Sequence, residues 1–242
     1  MRINHRTNFL AAGIIGVLAL AATTARSADL SGSVQGANQP IVGSTVTVYA
    51  AGTGTPTQLA QGKTDDNGAF KLDVGQGPAD SVFYVVAKGG TPKAAADKGP
   101  NDAIGLLAVL GSSLPNKVMV NEFSTVASVW TSAQFLKGDV LSGTRLGLRI
   151  AAGNVPNFVD LETGGYGGTI QDALNSAQTP TMANFATLAN LLAGCITRVK
   201  PDACGRFFGA ATPPEGGAPT DTLTAAVSIA RHPWHQPEKI FA

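Results

Sequence analysis

The chain has 242 residues, of which 44% are hydrophobic and 14% charged, with 17 basic against 16 acidic side chains. Setting aside the first 27 residues removes Arg2, Arg6 and Arg26, which leaves 14 basic and 16 acidic side chains on the remaining 215 residues. That near-neutral balance gives no electrostatic reason to expect nucleic acid or an anionic membrane surface as partner, and the length suits one large domain or two small ones.

The N-terminus reads as a secretory signal peptide. Arg2 and Arg6 make a basic start, FLAAGIIGVLALAA (9–22) is an uncharged apolar run, and Ala25-Arg26-Ser27 supplies small residues for cleavage after Ser27. A spanning helix needs roughly 20 apolar residues, more than this run offers. No later stretch is long and apolar enough to span a membrane. The mature protein is therefore expected in the periplasm or the medium.

From residue 28 to about 123, short alternating runs are punctuated by Gly, Pro, Asn and Asp. DLSGSV (29–34), STVTVYA (44–50), QLAQGK (58–63), AFKLDV (69–74), VFYVVAK (82–88), AIGLLAVL (103–110) and KVMVNEF (117–123) predict seven strands, a number typical of an antiparallel β-sandwich. Within STVTVYA, Val46, Val48 and Ala50 point one way and Thr45, Thr47 and Tyr49 the other. The acidic cluster Asp65-Asp66-Asn67-Gly68 lies between two of these strands. Asn-Gly tolerates positive φ in a tight turn. Calcium would need more oxygen ligands and a spaced pattern ending in Glu, so the cluster reads as a turn.

After residue 123 the period lengthens to that of helices. Ser124 is placed to cap a helix with Val126, Val129, Trp130, Ala133 and Leu136 on one face, which makes Trp130 a core residue. Ser142 precedes GTRLGLRIAAG, stopped by Pro156. Thr179-Pro180 opens a helix striped by Phe185, Leu188, Leu192 and Cys195. Thr220 and Asp221 open a last helix carrying Leu223, Val227 and Ala230, which Pro233 stops. The fold class is therefore α+β: a sandwich over 28–123 and a small helical domain over 124–242.

Cys195 and Cys204 are the only cysteines, and in an oxidising compartment they read as a disulfide. Closing so short a loop contributes on the order of 2–3 kcal/mol, mostly by restricting the unfolded chain. A metal site would need further ligands, and no nearby His or third Cys supplies them.

The stretch ADLSGSVQGANQPIVGSTVTVYAAG…LAQGKTDDNGAFKLDV…YVVAKGG resembles the transthyretin-like, carboxypeptidase-regulatory-like domains of secreted proteins. The resemblance covers roughly residues 29–90. It rests on Gly32, Ser33 and Val34, on Pro40, Gly43, Val46 and Val48, and on Thr64, Asp65, Gly68 and Phe70. It implies a carbohydrate-binding-like fold without catalytic residues. The helical half is similar to the region that follows such a domain in bacterial secreted proteins, several of which continue into an NHL-type or streptogramin-lyase-like β-propeller. That propeller would begin where this chain stops at Ala242, so no lyase residues are carried over.

Candidate chemistry is sparse. His232, His235 and Glu238 could meet at a metal, but Pro233 and Pro237 interrupt the helical spacing that would align them, and the tail is expected to fray. Ser112 and Ser113 lack a nucleophile elbow. Asn121 and Glu122, where strand meets helix, read as partners for backbone donors. Sugar binding needs exposed aromatic faces, and Tyr49 on an outward strand face and Tyr166 in a glycine loop are the candidates. The expectation is a secreted, non-catalytic binding or scaffolding protein with no cofactor and no metal, whose partner is a carbohydrate or an envelope protein.

Overall fold

The computed structural model describes Met1 and residues 27–240. The signal peptide read over residues 1–27 lies, apart from its first and last residues, outside the described residues.

The protein is α+β, with β-sheets that are antiparallel at every pairing but one. Strand β1 (Ala28–Gly36) pairs antiparallel with β5 (Ala69–Val74) on one side. Its other side pairs with β9 (Lys117–Val120), which runs parallel, and its end pairs with β2 (Gln39–Val42), which in turn pairs with β7 (Thr91–Pro92). A second sheet joins β4 (Thr57–Lys63), β3 (Thr45–Ala51), β6 (Val82–Lys88) and β8 (Gly105–Gly111) in that order. The seven predicted strands are all present. The first sheet also contains β2 and β7, which span four and two residues, too short for alternation to announce them.

Leu30, Val34, Phe70, Leu72 and Val118 of the first sheet share one apolar core with Val46, Val48, Val85 and Ala108 of the second. The turn at Asp65 links strands of different sheets, since β4 pairs with β3 and β5 with β1. The Asp65 carboxylate accepts from the backbone N–H groups of Asn67 at 2.8 Å and Ala69 at 2.9 Å. Gly68 N–H donates to the Asp65 carbonyl, and only glycine adopts its φ of +70° without strain. The acidic cluster is therefore a corner that turns the chain from one sheet to the other.

The opposite face of the β4-β3-β6-β8 sheet is covered by the second half of the chain. There Tyr49 and Tyr84 sit directly across from each other, followed by Thr47 with Val86 and then by Val86 with Leu107. Over them lie α1 (Glu122–Ser132), a two-rung hairpin of β10 (Leu136–Lys137) with β11 (Val140–Leu141), and α2 (Arg145–Asn154). Sequence alternation does not foresee this cover.

Strand β8 is an edge strand, yet five backbone groups along its outer edge are satisfied by side chains. Gly105 N–H donates to the Thr222 hydroxyl at 3.0 Å, and that hydroxyl donates back to the Gly105 carbonyl at 2.6 Å. Leu107 N–H donates to Thr125 Oγ1 at 3.0 Å, while Ser124 Oγ donates to the Leu107 carbonyl at 3.0 Å. Val109 N–H donates to Ser128 Oγ at 2.9 Å. All four hydroxyl residues are completely buried. Side chains of two helices thus replace the neighbouring strand that an open edge would otherwise recruit.

The helices begin close to the expected signals but not on them. The cap of α1 is Asn121, whose side chain accepts from Ser124 N–H at 2.9 Å, and Ser124 returns the bond to Asn121 N–H. Ser124 therefore stands in the first turn of the helix rather than before it, and the strand expected over 117–123 ends at Val120. Helix α2 is capped by Thr144, two residues after Ser142. After α3 (Gly168–Gln171) comes α4 (Thr181–Ile196), which buries Phe185, Leu192 and Cys195 as its stripe predicts. Cys195 is bonded to Cys204 in α5 (Ala203–Ala210), a helix that the sequence does not announce. Helix α6 (Thr222–Arg231) starts at Asp221 with a reciprocal cap from Thr224. The chain then folds back as α7 (Pro237–Ile240), burying Ile240, where the sequence suggested a frayed tail.

Glu122 carries a testable consequence. Its carboxylate is 7% exposed and accepts from Ala37 N–H at 2.6 Å. Burial pushes its carboxyl above the usual carboxylate range, with the Ala37 N–H pulling the other way. A raised folded pKa means that stability is fully present below the unfolded carboxyl's pKa, about 4.3, and is lost as pH rises through the folded value. Glu122→Gln keeps the acceptor but cannot ionise. Its thermal midpoint relative to the wild type is expected to climb between pH 4 and pH 7. An offset that stays constant over that range would show that ionisation of Glu122 does not limit stability.

Candidate functional site

The site develops from α1. Val126 and Val129 point into the core, whereas Trp130, one residue further round the helix, reaches its rim and stays 40% exposed. The predicted stripe was one residue too wide, because Thr125, Val126, Ser128, Val129 and Ser132 already fill the buried arc. The indole stacks on Phe158 with ring centres 5.6 Å apart and planes 19° apart, and on Phe185 at 6.3 Å and 22°. Phe185, fully buried in α4, also meets Phe123 at 5.6 Å and Tyr166 at 6.0 Å. Trp130 is the outermost ring of this aromatic stack.

A cleft of about 380 Å³ opens beside the indole, at the ends of α2 and α3. Asn154, Asn157, Thr169 and Asn175 bring their polar groups to it, together with Thr131 and Thr181. Their side chains hold one another in place. Thr169 Oγ1 donates to Asn157 Oδ1 at 3.1 Å, Asn157 Nδ2 donates to Asn154 Oδ1 at 3.2 Å, and Asn154 Nδ2 donates to the Ile150 carbonyl at 2.8 Å. Asn175 Nδ2 donates to the Thr169 carbonyl at 2.9 Å. Each amide offers two donors and two lone pairs, so this chain leaves hydrogen-bonding capacity directed outward on ordered groups. Among the described residues, no side chain with a permanent charge lines the cleft. An apolar plate edged by ordered amides and hydroxyls can bind a neutral polyhydroxylated ligand through both its faces and its rim.

Tyr49 and Tyr166 are not presented as the sequence suggested. Tyr49 lies on the sheet face covered by the helical half, half-buried and stacked on Tyr84 with centres 5.1 Å apart. Burial pushes the Tyr84 phenol well above its usual range. Tyr166 is also half-buried, its ring 4.7 Å from that of Phe123. The two tyrosines belong to separate clusters, and only Tyr166 joins the stack that ends in Trp130.

His232 caps the end of α6, with one ring nitrogen 3.1 Å from the Ser228 carbonyl and the other 3.6 Å from the Glu215 carboxylate. The Ser228 hydroxyl points elsewhere, donating to the Ala211 carbonyl at 2.6 Å, so the pair is not a nucleophile and its base. His232 and His235 line one cavity, and Glu238 is exposed. Among the described residues no three His, Cys, Asp or Glu side chains are grouped to hold a metal ion. Ser112 and Ser113 are exposed in a turn.

Sequence reasoning missed Trp130 as a surface group, and with it the Asn154, Asn157, Thr169 and Asn175 chain. The available signal was the recurrence of Asn and Thr at successive helix ends facing one Trp.

No protein-family model matches the chain, and no curated protein matches it. Among solved structures it is similar to the crystal structure of a 9R-lipoxygenase from Cyanothece PCC8801, at 17% identity over 38% of this chain, with a TM-score of 0.26. The match spans 15% of that chain's length, and a likeness at this level carries no argument about fold or activity.

Proposed function

We propose that this chain is an exported, non-catalytic binding protein of the bacterial envelope, with a transthyretin-like, carbohydrate-binding-like sandwich over its strand half. Its helical half holds carbohydrate against Trp130. The observation that carries this reading is the half-exposed indole, backed by Phe158 and Phe185 and edged by the hydrogen-bonded chain from Asn154 to Thr169. A sugar ring lays its C–H face on the indole, while its hydroxyls meet the amides directly or through water.

Export is supported by the bond between Cys195 and Cys204, which suits an oxidising compartment. No helix among the described residues is long and apolar enough to cross a membrane. The resemblance on Gly32, Pro40, Gly43, Asp65 and Gly68 supports the sandwich assignment, and four of these five occupy turns or tight strand contacts here.

A glycan array screened with the mature protein tests the reading. A hit is expected whose affinity falls at least tenfold in Trp130→Ala and severalfold in Asn157→Ala, with Tyr49→Phe unchanged. Failure of any glycan to bind, or binding indifferent to Trp130→Ala, would overturn it.

A further inference from the structure

A second cavity of about 330 Å³, also bordered by Trp130, lies between α1, α4, α6 and the C-terminal turn. Val129, Leu188, Leu192, Ile229 and Ile240 are among the apolar side chains of its wall. Among its polar members, Ser228 already donates to the Ala211 carbonyl at 2.6 Å and Thr212 to the Phe208 carbonyl at 3.0 Å. His232 is held by Ser228 and Glu215. Asn184 and His235 are half-buried, and their side chains have no hydrogen-bond partner among the described residues. Among the described residues, no Asp, Glu, Lys or Arg lines the cavity.

These features select a ligand. A carboxylate or an ammonium group inside would lie mostly against apolar walls with no Asp, Glu, Lys or Arg of the described residues lining the space, which is unfavourable. An apolar body is favoured by the walls, and one hydroxyl or carbonyl is matched by the free groups of Asn184 and His235. An apolar cavity of about 150 Å³ accommodates benzene, so roughly twice that volume fits two fused rings or an acyl chain of about ten carbons.

We infer that this cavity is a binding site for a small uncharged lipophile bearing one hydrogen-bonding group. The site is distinct from the carbohydrate cleft in chemistry and shares only Trp130 with it.

Isothermal titration of the mature protein with 1-naphthol, 1-decanol and decanoate at neutral pH tests this. The two neutral probes are expected to bind with one-site stoichiometry, and decanoate at least tenfold more weakly. Ala230 is half-buried in the cavity wall, so Ala230→Phe fills the space and is expected to weaken both neutral probes by tenfold or more. Ile229→Trp, checked by an unchanged circular dichroism spectrum, repeats the test on a neighbouring wall residue. His235→Ala is expected to weaken 1-naphthol severalfold. No binding of either neutral probe, equal affinity for decanoate, or affinities unmoved in folded filling variants would overturn the assignment. Naphthol binding by protein that takes no glycan would support this cavity and count against the carbohydrate cleft alone.

Discussion

A fragment ending at residue 121 is expected to form aggregates or edge-paired oligomers rather than a soluble monomer. The cut removes Ser124, Thr125, Ser128 and Thr222, whose hydroxyls make every bond described above along the outer edge of β8. It also exposes the face of Tyr84, Val86, Leu107 and Val109, all buried beneath the helical half. An uncovered strand edge beside an apolar face is a template for further strands. Size-exclusion chromatography with light scattering on residues 28–121 decides the matter, and a monomer that melts cooperatively would refute the expectation. The single change Thr222→Val probes the same seal in the whole chain. It keeps the shape but leaves both backbone groups of Gly105 unpaired, at a cost of about 1–3 kcal/mol each.

The most damaging single added carbon is expected at Gly32. This residue pairs with Phe70 on one side and Val118 on the other, in the centre of the first sheet. A Cβ there would stand 2.3 Å from the Val118 carbonyl oxygen and 2.6 Å from the Phe70 ring. The nearest obstacle is backbone held in a ladder, so it cannot turn aside as a side chain could. Gly32→Ala is therefore expected to cost about 4 kcal/mol or more, at the far end of what single substitutions do. Gly62 provides the comparison, since a Cβ there would meet only the flexible tip of Leu72, at 2.7 Å. Urea unfolding of both variants should give a clearly smaller loss for Gly62→Ala. Equal losses would show that the sheet shifts to accommodate Gly32.

Local pattern carries much of this fold. Alternation located seven strands, the Asp65 turn was legible from its chemistry, and the stripe of Phe185, Leu192 and Cys195 marked the buried side of α4. The cysteine pair was legible as well. What alternation cannot carry is the identity of the covering layer. Period two placed Tyr49 opposite Val48, but whether that face meets water or helices depends on residues about 90 positions further on. The same limit hid the candidate site. Trp130 lies at the margin of its helix stripe, and only the arrival of Phe158 and Asn157 turns that margin into a shelf. Helix α5 escaped notice because ACGRFFGA carries two glycines in eight residues and follows Pro201.

Trp130 lines both the amide cleft and the apolar cavity, so occupants of the two would share one side chain, and any movement of the ring would link their affinities. Any factor by which a ligand in one changes the affinity of a ligand in the other must be returned, equal in size, by the second ligand to the first. One titration performed in both orders would therefore measure the same number twice.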